Sequence, residues 1–549
     1  MGKKYTVRCK GLDREGRGIV KFNNGTFSVP YLLPGEKAEI SLVYGRRRED
    51  TGATLSSVTE PSPDRVDTEC PYYRECGGCT LLHLSYEGQL RFKEQRISEM
   101  LSGLSASAKK NSPKPRLLPI IGAEEPFFYR NKIHATFGRD RKGHITTGLY
   151  REGTHELIPV RECRIENREV SAILKTIREF AEKRRLSVYR EDTGTGLLRH
   201  VLFRVNRKNE VMVVPVVAES IFREKKLLAA EIVKKHPCVV TVVLNYNPKH
   251  TTMVLGTREE VLYGNGYLED TIGDCVFRLS PRSFYQVNSM QTEKLYGEAV
   301  RLADIRSGET VVDAYCGTGT ITLMMAKAAP DARFIGVELN GNAVRDAVSN
   351  AVRNRIGNAE FYEADAGTWL KRLAEEKTTV DVLTMDPPRS GSSPEFLKAV
   401  LALGPRRIVY VSCEPETLER DLKVLMKSYS LVSVQPVDMF PQTPKVESVV
   451  LLSKGVIDSQ KVKVEFPLED MDTTSFRGKA TYEQIKDYVL QRTGMKVSSL
   501  YISQVKRKCG LEVGDSYNKP KSEETKQPQC PPEKETAIMD ALKHFGMIE

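Results

Sequence analysis

Between Thr310 and Pro388 the chain alternates short apolar runs with helix-forming stretches, and after the first run each one leads to an acidic residue. Thr310-Val311-Val312-Asp313-Ala314 runs into a glycine turn at Gly317 and Gly319 and then a helix, expected over 321–328. Phe334-Ile335-Gly336-Val337 ends in Glu338, Glu360-Phe361-Tyr362 leads to Asp365, and Val380 to Met385 leads to Asp386-Pro387-Pro388. Apolar strands separated by helices fold as a doubly wound parallel sheet, because each crossover helix covers a sheet face. The acids then fall at the carboxyl ends of the strands, the edge at which such sheets bind ligands.

The glycine turn narrows the ligand. It is G-x-G, without the third glycine of a dinucleotide fold and without the Gly-Lys-Ser/Thr of a phosphate loop, so neither a pyrophosphate nor a triphosphate is well served. S-adenosylmethionine carries no phosphate and fits better. Close backbone approach at Gly317 and Gly319 accommodates its methionine half, Glu338 is placed to accept hydrogen bonds from the ribose hydroxyls, and Asp365 to receive the adenine amino group. A purely structural turn is the competing reading. Downstream, Arg407 to Ser412 forms a strand that delivers Cys413 to the same edge, just before Pro415 and a helix start. A buried structural cysteine is the default there, but the strand-end position suits a nucleophile. Glu447, at the mouth of the apolar run Ser448 to Leu452, is either a solvated strand start or a general base.

A second cluster lies upstream. Cys70, Cys76 and Cys79 form C-x5-C-x2-C beside Gly77-Gly78, and Cys163 stands alone far downstream. With no export signal, such clustered thiols point to a metal or an iron–sulfur cluster rather than to disulfides; ordinary buried cysteines are the alternative. The chain has 549 residues, too many for one core. Its 83 Lys and Arg against 72 Asp and Glu leave a charge of +11, which suits a polyanionic partner only weakly as an argument. No run approaches about eighteen apolar residues, so a soluble, cytoplasmic protein with no membrane association is expected.

The whole is read as a multidomain α/β chain. Residues 1–60 hold short β-prone runs between Gly- and Asn-rich turns, the pattern of a small OB-like barrel, with Arg46-Arg47-Arg48 either along a phosphate backbone or at a solvated hairpin tip. Residues 61–265 form a mixed α/β central domain containing the cysteine motif, and 266–454 a Rossmann-like domain for S-adenosylmethionine. Residues 455–549 add a small helical module: a helix begins near Ala480 and ends at Gly494, a second, Lys- and Arg-rich, spans 497–508, the 519–534 stretch is expected to be flexible, and a last helix starts near Thr536.

Taken in order, the four cysteines, Ser283-Phe284-Tyr285-Gln286-Val287-Asn288, Asp313 to Gly319, Asp386-Pro387-Pro388-Arg389, Ser412-Cys413 and Phe440 to Glu447 resemble the RNA uracil-5 methyltransferases, specifically their 23S ribosomal RNA branch, over roughly residues 5–454. The resemblance implies a TRAM-type RNA-binding barrel at the N-terminus and a [4Fe-4S] cluster on Cys70, Cys76, Cys79 and Cys163. It implies Gln286 toward the methionine portion of the cofactor, Tyr315 and the Gly317/Gly319 turn against it, Glu338 on the ribose, and Asp365 and Asp386 lining the pocket. Cys413 matches the nucleophile and Glu447 the base. One position departs from the pattern: Lys445 stands where the family has His. In an extended segment Lys445 and Glu447 share a face, so the ammonium is expected to favour ionised Glu447 and make it a weaker base.

The chemistry agrees with the resemblance. Uracil C5 reacts poorly with a sulfonium methyl until a thiolate adds at C6, and the C5 proton must then be removed before the thiolate can leave, so one Cys and one base are needed. The expected partner is ribosomal RNA, its target base flipped out or in a loop, and the expected state is a monomer. Rival readings are a transfer-RNA uracil-5 enzyme, an RNA cytosine-5 methyltransferase, against which Asp386-Pro387-Pro388-Arg389 carries no cysteine beside the proline, and a non-catalytic cluster-containing RNA-binding protein.

Overall fold

A computed structural model of the chain describes residues 4–22, 25–43, 52–107, 114–151, 154–251, 253–454, 482–511, 530–545 and 547–548. The chain divides into two compact units, residues 1–456 and 457–549.

The first unit begins with a five-stranded antiparallel sheet: β1 (Lys4–Leu12), β2 (Gly18–Phe22), β3 (Gly25–Val29), β4 (Lys37–Val43) and β5 (Gly52–Glu60), in the order β3-β2-β1-β4-β5. Alternate residues such as Val7, Cys9, Ala38 and Ile40 point to one small core, as a period of two requires. The two edge strands, β3 and β5, also meet. Arg46 to Arg48 lie outside the described residues.

After the cysteine segment come α1 (Tyr86–Ser107) and β6 (Arg116–Leu117). Next is a seven-stranded mixed sheet of β7 (Lys132–Arg139), β8 (Ile145–Tyr150), β9 (Leu157–Pro159), β10 (Leu198–Val205), β11 (Val211–Val217), β12 (Val239–Tyr246) and β13 (Arg258–Tyr263), ordered β13-β12-β11-β10-β7-β8-β9. Helices α2 (Arg168–Lys183) and α3 (Lys225–Lys235) cover one face. β11 is buried on both sides: Val211, Val213 and Val217 meet that helical layer, whereas Met212 and Val214 face the core shared with the C-terminal sheet. That is why its sequence is a continuous apolar run rather than an alternation. The hairpin β14 (Leu268–Ile272) and β15 (Cys275–Leu279) closes through Gly273, at φ 53, and Asp274.

The C-terminal sheet is built from β16 (Thr310–Ala314), β17 (Arg333–Glu338), β18 (Ala359–Glu363), β19 (Val382–Met385), β20 (Arg407–Ser412), β21 (Ser430–Val437) and β22 (Glu447–Ser453). Its order is β18-β17-β16-β19-β20-β22-β21-β6. Helices α4 (Ser289–Ala303), α5 (Thr320–Ala328), α6 (Gly341–Arg353), α7 (Ala366–Glu375), α8 (Pro394–Leu403) and α9 (Pro415–Leu425) accompany it. Local signals set the helix starts: Asn340 caps α6, Asp365 caps α7, and Ser393 followed by Pro394 caps α8. Strands β16 to β20 are parallel, as the strand–helix alternation predicts. The sheet is not parallel throughout, however: β22 runs antiparallel between β20 and β21, because the connection from β21 to β22 contains no crossover helix. Two earlier elements join this layer. β6 extends the β21 edge, and α1 inserts Ile97, Met100, Leu101 and Leu104, a stripe at helical spacing, into the core beneath the sheet.

The second unit packs α10 (Tyr482–Thr493), α11 (Ser499–Lys508) and α12 (Pro532–His544) around Ile485, Val489, Ile502, Val505, Ile538 and Leu542. Gly494, at φ 71, follows α10 as its sequence implies. The last helix starts at Pro532, earlier than Thr536, because Pro fits the first turn where no N–H partner is needed. It therefore takes in Lys534, the end of the stretch read as flexible; residues 519–529 lie outside the described residues.

Candidate active site and cysteine-lined cavity

Strand register assembles the site. Ala314 pairs with Val337 on one side and Met385 on the other, so Tyr315, Glu338 and Asp386 emerge level at one edge of the sheet. Ser412 pairs with Ser448 in the antiparallel β20–β22 ladder, which sets Cys413 opposite Glu447 one step further on. Two residues separated by 34 positions in the chain thereby meet.

The glycine turn is a strained piece of backbone. Tyr315, Gly317 and Gly319 have φ of 64, 56 and 79. A Cβ on Gly319 would lie 3.0 Å from the Phe361 ring and 3.1 Å from Ala347 Cβ, so a side chain there would crowd both neighbours on a backbone whose positive φ already favours glycine. Glu338 holds the turn: its carboxylate accepts from Gly317 N–H at 3.1 Å and Asn340 N–H at 2.8 Å. Asp365 is exposed, and its Oδ1 accepts from the N–H and hydroxyl of Thr368, both at 2.8 Å, as a helix cap. The Tyr315 ring packs 5.0 Å from Phe396. Gln286 is half-buried and donates from Nε2 to the Tyr296 hydroxyl at 3.4 Å.

Around Cys413 the charges are unusual. Glu447 is 3% exposed, and burial, then the nearby Asp386 carboxyl, pushes it up to about 8. Asp386 is pushed up to about 7 by burial and by Asp313. The Cys413 thiol is pushed up to about 12 by burial and by Glu447 and Asp386, so the resting group is the thiol, not the thiolate. Arg389 opposes both the Cys413 and the Glu447 shifts. Lys445 is expected to favour ionised Glu447, and its effect has that sign without deciding the net shift. It pairs with Glu414 at 3.8 Å, and burial of Glu447 outweighs it.

Two neighbours of these groups are given no role by the sequence, Arg389 although it stands in the Asp386-Pro387-Pro388-Arg389 motif. Tyr296, fully inside α4's apolar face, lies close enough to Asp386 and Glu447 for both to raise its hydroxyl; its spacing reads as ordinary helix core, so no sequence signal marks it. Arg389 could have been found from its place directly after Asp386-Pro387-Pro388.

The loop leading to Glu447 is braced by α1. Lys93 and Asp438, both fully buried, form an ion pair at 2.5 Å, and Lys93 also donates to Phe440 O at 3.1 Å. Gln89 and Gln442 exchange hydrogen bonds of 2.9 and 2.8 Å, and Arg96 donates to Pro444 O at 2.8 Å.

Cys70, Cys76, Cys79 and Cys163 line one mostly apolar cavity of about 120 Å³. The thiols sense one another: Cys163, Cys76 and Cys70 each raise Cys79, after burial, and Cys76 raises Cys163. Among the described residues no three His, Cys, Asp or Glu side chains converge closely enough for a single metal ion. The donor set itself, four thiols from two chain segments around a small apolar space, suits a polynuclear cluster with thiolate ligands. No helix among the described residues is long and apolar enough to cross a membrane.

Known proteins share this architecture. Residues 256–455 match the family described as tRNA (Uracil-5-)-methyltransferase. An uncharacterized RNA methyltransferase of Bacillus cereus is 40% identical over 450 residues, covering 82% of this chain and 96% of that protein. One from Clostridium tetani is 36% identical over 454 residues, again covering 82% and 96%. The solved Pyrococcus abyssi tRNA (uracil-54, C5)-methyltransferase, in complex with S-adenosyl-L-homocysteine, superposes with a TM-score of 0.64 at 26% identity, covering 82% of this chain and all of that one.

Proposed function

The chain belongs to the RNA uracil-5 methyltransferase family and is an S-adenosylmethionine-dependent RNA methyltransferase, and from that premise we propose that it converts a uridine of 23S ribosomal RNA to 5-methyluridine, with Cys413 as nucleophile and Glu447 as base. The observation that carries the reading is the β20–β22 register, which sets the Cys413 thiol, at the ligand edge of β20, opposite a buried carboxyl.

In this scheme Cys413 loses its proton and adds at uracil C6, so that electron density moves onto C5. S-adenosylmethionine, when bound, supplies the methyl group and a positive sulfonium. Gln286, Tyr315, Gly317, Gly319, Glu338, Asp365 and Asp386 would hold it. Asp386, Glu447 and Cys413 all resist ionisation in the free protein, and a cation bound beside them would favour the charged forms the reaction needs. Glu447 then takes the C5 proton, and Cys413 is expelled as the ring regains its double bond. Burial gives the ionised Glu447 a greater proton affinity than an exposed carboxylate has, which favours removing a carbon-bound proton.

Cys70, Cys76, Cys79 and Cys163 would hold a [4Fe-4S] cluster, which supplies a link between two chain segments and no electron for this reaction. The N-terminal five-stranded sheet is read as a TRAM-type barrel gripping RNA, and the protein as a cytoplasmic monomer. A second reading, transfer RNA as substrate, has the solved Pyrococcus abyssi relative in its favour. Mapping 5-methyluridine separately in ribosomal and transfer RNA from cells with and without this chain decides between them. Loss of 5-methylcytidine instead would refute the uracil assignment.

A further inference from the structure

A cavity of about 480 Å³ opens between the 123–131 loop, the start of α2, the 205–209 turn and the first turns of α4, and none of the roles above uses it. One wall is aromatic. The Arg168 guanidinium lies 4.1 Å from the centre of the Phe128 ring, and that of Arg164 lies 5.6 Å from it. Phe128 has φ 54, a left-handed conformation that costs a bulky residue free energy, and its N–H donates to Arg164 O at 2.9 Å. The lining also includes the exposed Asn209, whose Oδ1 accepts from Asn167 Nδ2 at 3.1 Å, and Met290, which is 58% exposed.

Phe128 and Arg168 also line a shallow cleft along α2 that holds Arg161, Arg164, Lys175 and Arg178. The helix explains the row: Val170, Ile173, Leu174 and Ile177 are buried, so Arg168 and Lys175 fall on the opposite, exposed face, while Arg178, half-buried at its flank, donates to Thr147 Oγ1 at 2.7 Å. Against these five cations stand Glu162 and Glu179 in the cleft, while Arg164 also reaches Glu69 at 2.5 Å. The cavity is joined to the candidate site through covalently adjacent residues. Asn131 donates from its N–H to Val287 O at 2.8 Å, and from Nδ2 to Gln286 O at 2.9 Å and Ser289 Oγ at 2.7 Å.

We propose that this cavity and cleft form a binding site for the single-stranded RNA flanking the target uridine, one unpaired neighbouring base entering against Phe128 while its phosphates follow the α2 cations. The proposal rests on the RNA methyltransferase reading and deepens it. Extruding a base removes the stacking of its neighbours, and an enzyme that offers those neighbours an aromatic face and guanidinium planes offsets that loss. The exposed Asn209 side-chain amide can pair with a base edge, while cations along the helix suit phosphates.

The full-length protein is irradiated with total bacterial RNA labelled with 4-thiouridine, and nucleotide adducts are mapped on its peptides while transfer of labelled methyl to the same RNA is followed. Adducts on the 124–131 and 288–294 segments are expected. Met290→Trp, which fills the cavity mouth, should weaken RNA binding roughly 5- to 150-fold, the worth of one stacked base, with S-adenosylmethionine binding retained. Arg168→Glu with Lys175→Glu should flatten the salt dependence of binding by roughly 0.7 per lost phosphate contact; Lys175 is exposed, so its variant reads binding without disturbing the core. Methyl transfer without adducts in these segments, or unchanged affinity and salt dependence in the charge-reversed variant, overturns the site and leaves the methyltransferase reading intact. Adducts there with no uridine methylated support the site and refute that reading.

Discussion

Replacing Glu447 by Gln tests the electrostatics of the site through folding as well as through catalysis. The side chain is 3% exposed, and its carboxyl is pushed from the ordinary 4.5 up to about 8, chiefly by burial. The folded protein therefore keeps this proton at pH values where the unfolded chain has released it, so stability falls as pH rises between about 4.5 and 8. Using those two values, the carboxyl costs the fold roughly 1.4 kcal/mol at pH 5.5 and roughly 4.6 kcal/mol at pH 8.5. Gln matches the neutral form in shape and has no such pH dependence. The variant should gain roughly 3 kcal/mol over the wild type between those two pH values, read as the change in denaturant unfolding free energy. In the same variant, addition and methyl transfer should proceed but proton removal should stall, leaving a methylated protein–RNA adduct. A stability difference that stays flat from pH 5.5 to 8.5 would refute the buried, protonated carboxyl. Turnover near the wild-type rate would assign the base elsewhere.

Three further outcomes are expected. Cys413→Ala should bind cofactor and RNA yet form no covalent complex, whereas the wild type with RNA carrying 5-fluorouridine should stop as a denaturant-resistant adduct containing one added methyl, because the C–F bond cannot be broken by the base; release of methylated fluorinated RNA would exclude the covalent route. Anaerobically purified protein should be brown and contain about four irons per chain, and Cys163→Ser should lose both colour and iron; zinc without iron would overturn the cluster. Lys93→Met should destabilise the protein by roughly 3–5 kcal/mol, because Asp438 is left buried without its cation, and denaturant unfolding near pH 7 measures it.

What the sequence determined by itself is what local periodicity and chain punctuation encode. Runs such as Val311-Val312 and Val382 to Met385 are short, apolar and bounded by helix-forming stretches, so the parallel strands β16 to β20 and the acids at their ends were legible one segment at a time. The same holds for the Gly317 and Gly319 turn, and for Gly494 at the end of α10. Tertiary structure alone decided what depends on pairing between distant segments. Nothing local says that β22 turns antiparallel against β20 and so sets Glu447 opposite Cys413, because a strand's pairing partner and register are set by non-local contacts. Nor does it say that Cys163 shares a cavity with Cys70, Cys76 and Cys79, or that Lys93 finds Asp438 across 345 residues. The net shift of Glu447 was not legible for the same reason. Sequence proximity made Lys445 its apparent partner, but ionisation responds to burial in three dimensions, and the folded chain turned Lys445 to Glu414 while enclosing Glu447.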